Sequence, residues 1–404
     1  VPRRGDLGRR GRVSSPADVL VVGASAAGLA TVEALRRKGY SGRVTVLGAE
    51  AHLPYDRPPL SKQVLAGDWE PERARLRPPD ALSSLDAEFL LGDSAVSLDA
   101  ATRTVRTAAG RVLTAEAVVI ATGLRPRTLP GQENLAGVHV LRTLDDTLAL
   151  RADVWPGSRV VVVGDGVLGS EIAATLSAMG ARVTLTGPQP APMAMQFGPL
   201  AAGLLARLHT ERGVELRLGT ATIGLVGKNG RIAGVQLADG TVLPADVVVV
   251  AFGAAPVTEW LSGSGLRCDN GVVCDSRCRA ADGIYAAGDV ARWHHETFDS
   301  LLRLENRTNA TEQAVAVAGN ILGEDRPYAP VPYFWTNQFD ARIHVHGLLP
   351  ADAEVSIVDG SPEDRRFVAD YRVDGELVGV LGWNMPKQAR QRRADIARVL
   401  TPSG

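Results

Sequence analysis

Apolar residues along this chain come in short continuous runs, separated by glycine turns and by longer Ala/Leu-rich stretches. Val19–Val22, Val44–Leu47 and Ala117–Ile120 are solidly apolar and of strand length, as are Val160–Val163 and Val247–Phe252. Runs of that kind predict buried strands of a parallel sheet rather than half-exposed ones, which alternate. Between Val22 and Val44 lies a helical stretch rich in Ala and Leu, closed by the Gly39–Gly42 turn. Arg159–Thr186 repeats this order of strand, glycine turn, helix, Gly180 turn and strand. The two copies start about 140 residues apart, which reads as an internal duplication and not as a short-period solenoid. The second copy continues with a helix over Leu200–Arg212 and β runs up to Asp246–Phe252, and a third segment has a strand ending at Gly288-Asp289 followed by a helix near Thr308–Leu322. Beyond the proline-studded stretch Pro327–Pro332 the pattern changes to alternating β with hairpin turns, closing on a basic helix over Pro386–Leu400.

The turns give these βαβ units a chemistry. The first reads Gly23-Ala24-Ser25-Ala26-Ala27-Gly28, a G-x-G-x-x-G spacing with serine at the middle glycine, and an acid, Glu50, follows 22 residues beyond Gly28. Gly23 allows the sharp turn and a small residue at 25 lets a pyrophosphate approach the backbone. Gly28 lets the helix lie close on the strand, its amide-rich end aimed at the phosphates. The second turn, Gly164-Asp-Gly166-Val167-Leu168-Gly169, has all three glycines. Each unit can bind one dinucleotide. The segment Ala121-Thr122-Gly123 is echoed by Ala251-Phe-Gly253, which suggests that the two nucleotide domains close in parallel ways. Two such sites in one chain point to hydride traffic, with a flavin at one and NAD(P)H at the other.

Composition narrows the class further. The 404 residues are 45% apolar, enough for two or three domains, and the net charge of −1 supplies no field that calls for nucleic acid or a membrane surface. No apolar run approaches membrane-spanning length. Residues 1–13 are basic without an apolar core, so they read as a disordered tail and not as a secretory signal. Cys268, Cys274 and Cys278 are too few and too widely spaced for a metal site, and their odd number points to a reducing cytoplasm.

Several motifs together carry a family likeness: HLPYDRPPLSK at 52–62, ATG at 121–123, LRT at 141–143, GDGVLGSE at 164–171, AAGD at 286–289, NATEQ at 309–313 and PYFWTNQ from 332. In these the chain resembles the FAD-dependent ferredoxin reductases of bacterial cytochrome P450 and Rieske-type oxygenase systems, over about residues 17–400. The likeness implies an α/β fold with two Rossmann-like, glutathione-reductase-like domains and a small C-terminal α+β interface domain. The FAD-binding domain would take residues 14–130 and 257–326, the NAD(P)H-binding domain 131–256 and the interface domain 327–404. It also implies site residues. FAD would be held by Gly23, Ser25, Ala27 and Gly28, with Arg57 and Lys62 along the flavin and Val96 at the adenine side. Ala121, Thr122, Gly123, Arg142, Gly288, Asp289, Arg307 and Trp335 would complete the FAD site. Gly164, Gly166, Val167, Leu168, Gly169 and Gly253 would hold NAD(P)H, with Glu171 paired to Lys62 as the catalytic pair.

The departures matter as much. The acid usual directly after the second strand's glycine is Ala49, leaving Glu50 to take the adenosine ribose. The tryptophan usual before NATEQ is Arg307, and the aspartate usual after Trp335-Thr336 is Asn337. The acid expected at the end of Val183–Thr186 falls on Gly187, and no arginine follows to hold a 2′-phosphate. NADH is favoured on family habit and NADPH stays open. No cysteine pair follows the first unit, so electrons should leave the flavin directly, to a [2Fe–2S] ferredoxin steered by Lys387, Arg390, Arg392 and Arg393. A rubredoxin reductase, an NAD(P)H oxidase, and a flavin redox switch resembling apoptosis-inducing factor are the rival readings. Trp383 reads as a core residue before an electron-exit residue.

Overall fold

The computed structural model describes residues 15–399, with side chains to Ile396, so the expected tail at 1–13 lies outside the described residues. Both apolar repeats form parallel sheets of like strand order. In the first sheet the strands run Arg279–Ala281, Ile284–Ala286, Ala117–Ile120, Asp18–Val22, Arg43–Gly48, Glu88–Leu91, and only Arg279–Ala281 is antiparallel to its neighbour. In the second they run Glu215–Leu218, Arg182–Gly187, Arg159–Val163, Val247–Val250, Val138–His139, all parallel. Helices Ala26–Arg37 and Val167–Ala178 follow the two glycine turns.

The third sheet is the alternating C-terminal pattern: Tyr333–Gln338, Ala341–Gly347, Glu376–Trp383, Arg366–Val373 and Glu354–Ser361, all antiparallel. Its core does not close on itself. Helix Ala194–Glu211 of the second unit lays Phe197, Ala201, Leu204, Leu205 and Leu208 against Ile343, Val345, Phe367, Tyr371, Leu381 and Trp383. The Tyr371 hydroxyl donates to the Phe197 carbonyl at 2.7 Å. Gly198, with non-helical φ +73° and ψ 178°, precedes Pro199 and divides this helix, so its longer piece starts close to the Leu200 expected from the sequence. Proline cannot donate into the preceding turn, so the two helical pieces meet at an angle. Trp383 is fully buried and stacks on Phe367 at 6.0 Å, as a core residue.

The basic C-terminal segment corrects the single helix expected over Pro386–Leu400. It is two short helices, Pro386–Gln391 and Arg393–Val399, broken at Arg392. The break has a reason. Arg392 turns inward and donates twice to buried Asp370, at 2.7 and 2.5 Å. Its guanidinium is committed to this ion pair.

Candidate functional site

The two glycine turns are built alike. A Cβ on Gly28 would lie 1.8 Å from the Gly23 carbonyl oxygen, and one on Gly169 would lie 1.8 Å from that of Gly164. Gly23 and Gly164 have φ of +124° and +127°, a region that only glycine enters freely, and each packs against the backbone after Ala121 or Ala251. Both helices start without a side-chain cap: Ser25 makes none, and Gly166 has no side chain to offer. Two other helices are capped, with Thr143 in a capping box with Asp146 and Asn306 accepting from Asn309, while Pro79–Ser83, Ala194–Glu211 and Pro386–Gln391 make no side-chain cap either. The two glycine turns thus keep their first-turn N–H groups for an external anion.

A groove runs from the first turn in two arms. One is walled by Gly23, Ser25, Glu50, Ala121, Thr122 and Arg142; the other, a cavity of about 580 Å³, reaches across to the second turn. Its walls bring Ser25, Ala27, Gly123, Gly288 and Asp289 together with Gly166, Val167, Leu168, Glu171 and Gly253, and with Arg307 and Trp335. Residues from both cradles therefore face one space, of the size that holds small ligands and cofactors. Arg307 reaches Asp56 at 2.5 Å and also bonds Thr311. Gly28, Gly164 and Gly169 lie beneath the turns and shape them through close packing.

Two half-buried arginines carry the electrostatics. Arg57 donates to Glu50 at 2.7 Å and to the Arg142 carbonyl at 2.5 Å; Arg142 donates to Asp289 at 3.3 Å. Burial would depress the Arg57 guanidinium, but neighbouring Tyr55 and Glu50 hold it above its ordinary value. Arg142 is pushed down, first by burial and then by Arg57, with Asp289 opposing. The Nε atoms of both are buried without a partner. An orphaned donor on each of two mutually repelling guanidinium groups fits an anion in the groove. A diphosphate-bearing cofactor such as FAD meets that donor set. Gly288 supports the same wall: its N–H is held at 2.8 Å by Gln313, and its φ is +77°.

Lys62 lies on a single wide helical turn, Leu60–Val64, that follows the Pro58-Pro59 pair. Such π turns cluster at functional sites. Its ammonium donates to Glu171 at 2.6 Å, to the Pro58 carbonyl at 3.0 Å and to the Ser61 hydroxyl at 3.2 Å, and sits 5.3 Å from the Trp335 ring centroid. The other donors to Glu171 are Ser61, at 2.6 Å, and Thr336, at 2.7 Å. From Thr336 the chain continues to Gln338 at 3.2 Å and on to His209 at 2.8 Å. The sequence reading missed Ser61, Thr336, Gln338, His209 and Tyr55. Only Thr336 and Gln338 carried a signal, since they alternate with Asn337 on the inner face of a strand.

One expected site residue lies off the groove, and another lines it with its carboxylate already engaged. Val96 does not line the groove: Asp93, Ser94 and Ala95 do, and the Val96 side chain is 51% exposed on the other face of its strand. Glu50 does line it, but its carboxylate already holds Arg57 and the Tyr55 hydroxyl. Of the docking residues, Lys387 and Arg390 are exposed and Arg393 is half-buried, while Arg392 is committed to Asp370. Among the described residues, no group of His, Cys, Asp and Glu could hold a metal ion and no helix is long and apolar enough to cross a membrane.

Residues 17–314 match the pyridine nucleotide-disulphide oxidoreductase family, and residues 333–403 match the reductase C-terminal domain. A probable ferredoxin reductase of Castellaniella defragrans is 36% identical over 366 residues, 90% of this chain and 89% of that protein. Rhodocoxin reductase of Rhodococcus erythropolis is 34% identical over 388 residues, 95% of this chain and 91% of that one. The solved covalent complex of putidaredoxin reductase with putidaredoxin superimposes with a TM-score of 0.89 at 32% identity, over 94% of this chain and 92% of that one. Matching the family across both its nucleotide units, and the C-terminal domain beyond them, the chain belongs to the pyridine nucleotide-disulphide oxidoreductase family, among the ferredoxin reductases.

Proposed function

We propose that this protein is an FAD-dependent reductase that draws electrons from NAD(P)H and delivers them to a [2Fe–2S] ferredoxin feeding a cytochrome P450 or Rieske-type oxygenase. The observation that carries the reading is the shared groove, in which the two uncapped helix ends face one space with Lys62 and Glu171 between them.

FAD would lie along Gly23, Ser25, Ala27, Gly288 and Asp289, its diphosphate drawn to the first-turn amides and to Arg57 and Arg142. NAD(P)H would enter over Gly166, Val167 and Leu168. When bound, the flavin supplies the conversion between two-electron and one-electron transfer. The protein's own residues position and polarise. Lys62 keeps a cation at the groove where charge builds up, and it is held there by Glu171, Pro58 and Ser61. Trp335 closes that end and keeps the ammonium from bulk water. The chain's three cysteines lie away from the groove, with Cys274 and Cys278 buried and their thiols pushed up by burial, so no dithiol relays electrons onward.

Lys387 and Arg390, exposed beside half-buried Arg393, offer an acidic ferredoxin a cationic landing face. The test is a visible spectrum of the purified protein followed by anaerobic titration with NADH and NADPH, then turnover with a [2Fe–2S] ferredoxin. A flavin spectrum, bleaching by coenzyme and fast ferredoxin reduction are expected. A colourless protein that cannot be reconstituted with FAD would overturn the reading. A long-lived coenzyme complex without turnover would favour a redox switch.

A further inference from the structure

The duplicated units differ at one place that the groove does not show. In the first, the turn residue Ala24 meets the strand end: a Cβ on Gly48 would lie 2.7 Å from the Ala24 Cβ. Two residues past Gly48 comes the acid Glu50, which lines the groove. In the second unit the equivalent strand end is Gly187, and two residues past it stands Gln189, an amide. The negative charge is not lost. It has moved to the glycine turn, on Asp165. The Asp165 side chain reaches so far over the strand end that a Cβ on Gly187 would lie 2.3 Å from its Cγ and Oδ2. A side chain at 187 and the carboxylate of Asp165 exclude one another.

Asp165 grips the residue that replaces the acid. Its Oδ2 accepts the Gln189 backbone N–H at 2.7 Å, and its Oδ1 accepts the Gln189 side-chain amide at 2.7 Å. The Asp165 carbonyl accepts from Met193 N–H at 2.8 Å, the Gln189 Oε1 accepts from Met195 N–H at 2.7 Å, and the Gln189 carbonyl accepts from Gly219 N–H at 3.0 Å. The segment so pinned, Gly187–Met193, holds three prolines and no lysine or arginine. On the adjoining strand Arg217 is paired with Glu215 at 2.6 Å. Asp165 itself is only 4% exposed.

We propose that Asp165, acting through Gln189, selects a coenzyme whose adenosine ribose carries a free 2′-hydroxyl. This rests on the reading of the second turn as the NAD(P)H cradle. In such a unit the residue about 20 positions past the last glycine meets the ribose. Here that residue is Gln189, whose second amide hydrogen remains for a ribose oxygen once the first is given to Asp165. A 2′-phosphate would bring its negative charge beside a fixed carboxylate with no cation to receive it.

Isothermal titration of the flavin-loaded protein with NAD⁺ and NADP⁺ tests this, because it reads binding and not turnover. The wild type is expected to bind NAD⁺ about tenfold tighter than NADP⁺ or more. Asp165→Asn, near-isosteric and neutral, should narrow that ratio about tenfold by strengthening NADP⁺. A wild type that binds NADP⁺ as tightly as NAD⁺ overturns the proposal. So does an Asp165→Asn protein with an intact flavin spectrum and an unchanged ratio. If that variant yields no folded protein, Gln189→Leu decides: NAD⁺ binding weakened several-fold supports the proposal, and unchanged NAD⁺ binding overturns it. If neither coenzyme binds the wild type, the reading of the second cradle fails, a different outcome from either result that turns on Asp165.

Discussion

Glu171→Gln isolates the charge of the Lys62–Glu171 pair from its shape. The two side chains are 11% and 8% exposed and meet at 2.6 Å. Breaking a buried pair by removing one partner costs about 3–5 kcal/mol, because the remaining charge is left uncompensated. Lys62 still has the Pro58 carbonyl and the Ser61 hydroxyl, and the glutamine oxygen can accept where Oε2 did, so the lower end, about 3 kcal/mol, is expected. The new amide NH₂ faces Thr336 Oγ1, which can accept from it, but the Thr336 hydroxyl then loses the carboxylate oxygen to which it donated. The functional loss should exceed what stability alone suggests. A less firmly held ammonium shifts within the groove, and a misplacement of about 1 Å can cost about a hundredfold in rate. Stopped-flow reduction of the flavin by saturating coenzyme reads the rate, and chemical denaturation of the flavin-loaded protein reads the stability. Flavin reduction within about twofold of wild type, with stability changed by less than about 0.5 kcal/mol, would refute the argument.

Other consequences can be checked the same way. Gly28→Ala and Gly169→Ala each force a Cβ to 1.8 Å from a carbonyl oxygen, so the first should yield protein without flavin colour and the second a yellow protein that no longer binds coenzyme. Arg392→Ala should destabilise the C-terminal domain by about 1–3 kcal/mol, Arg372 still pairing with Asp370, without altering the salt dependence of ferredoxin reduction, whereas Lys387→Ala with Arg390→Ala should raise the KM for ferredoxin and flatten that dependence. His346 is depressed from 6.5 to about 4 by burial and then by Arg393, His344 and Arg390. Its neutral form is kept in the folded state while the unfolded chain protonates. Stability from this site is therefore full above pH 6.5 and is lost as pH falls toward 4, by at most about 3 kcal/mol. In His346→Gln the denaturation midpoint should change less steeply between those pH values than in the wild type; an equal slope would remove His346 as the cause.

The repeated runs and turns made both parallel sheets legible, because glycine at a strand-to-helix turn and continuous valine runs have few other uses. The cradle residues were legible for the same reason. What stayed hidden was who partners whom. Nothing local marks Ser61 or Thr336 as donors to a glutamate 110 and 165 residues away. Arg392 looked like its exposed neighbours because its partner, Asp370, lies 22 residues earlier on a strand of the same domain, which charge patterning along the helix does not see. Val96 follows directly on the wall residues Asp93, Ser94 and Ala95, with its side chain exposed. The Gly198-Pro199 breaker pair divides that helix as the sequence leads one to expect, and residues of both pieces pack on the C-terminal sheet.

The line of bonds from Lys62 through Glu171, Thr336 and Gln338 to His209 joins parts of the chain that are far apart in sequence. Exchanging the C-terminal segment for that of a sister protein, to change the electron acceptor, would therefore also unclasp the lysine beside the electron source. Chimeras that carry their own Thr336 and Gln338 counterparts should tolerate the graft. Acceptor preference and donor-side chemistry would have to be re-engineered together.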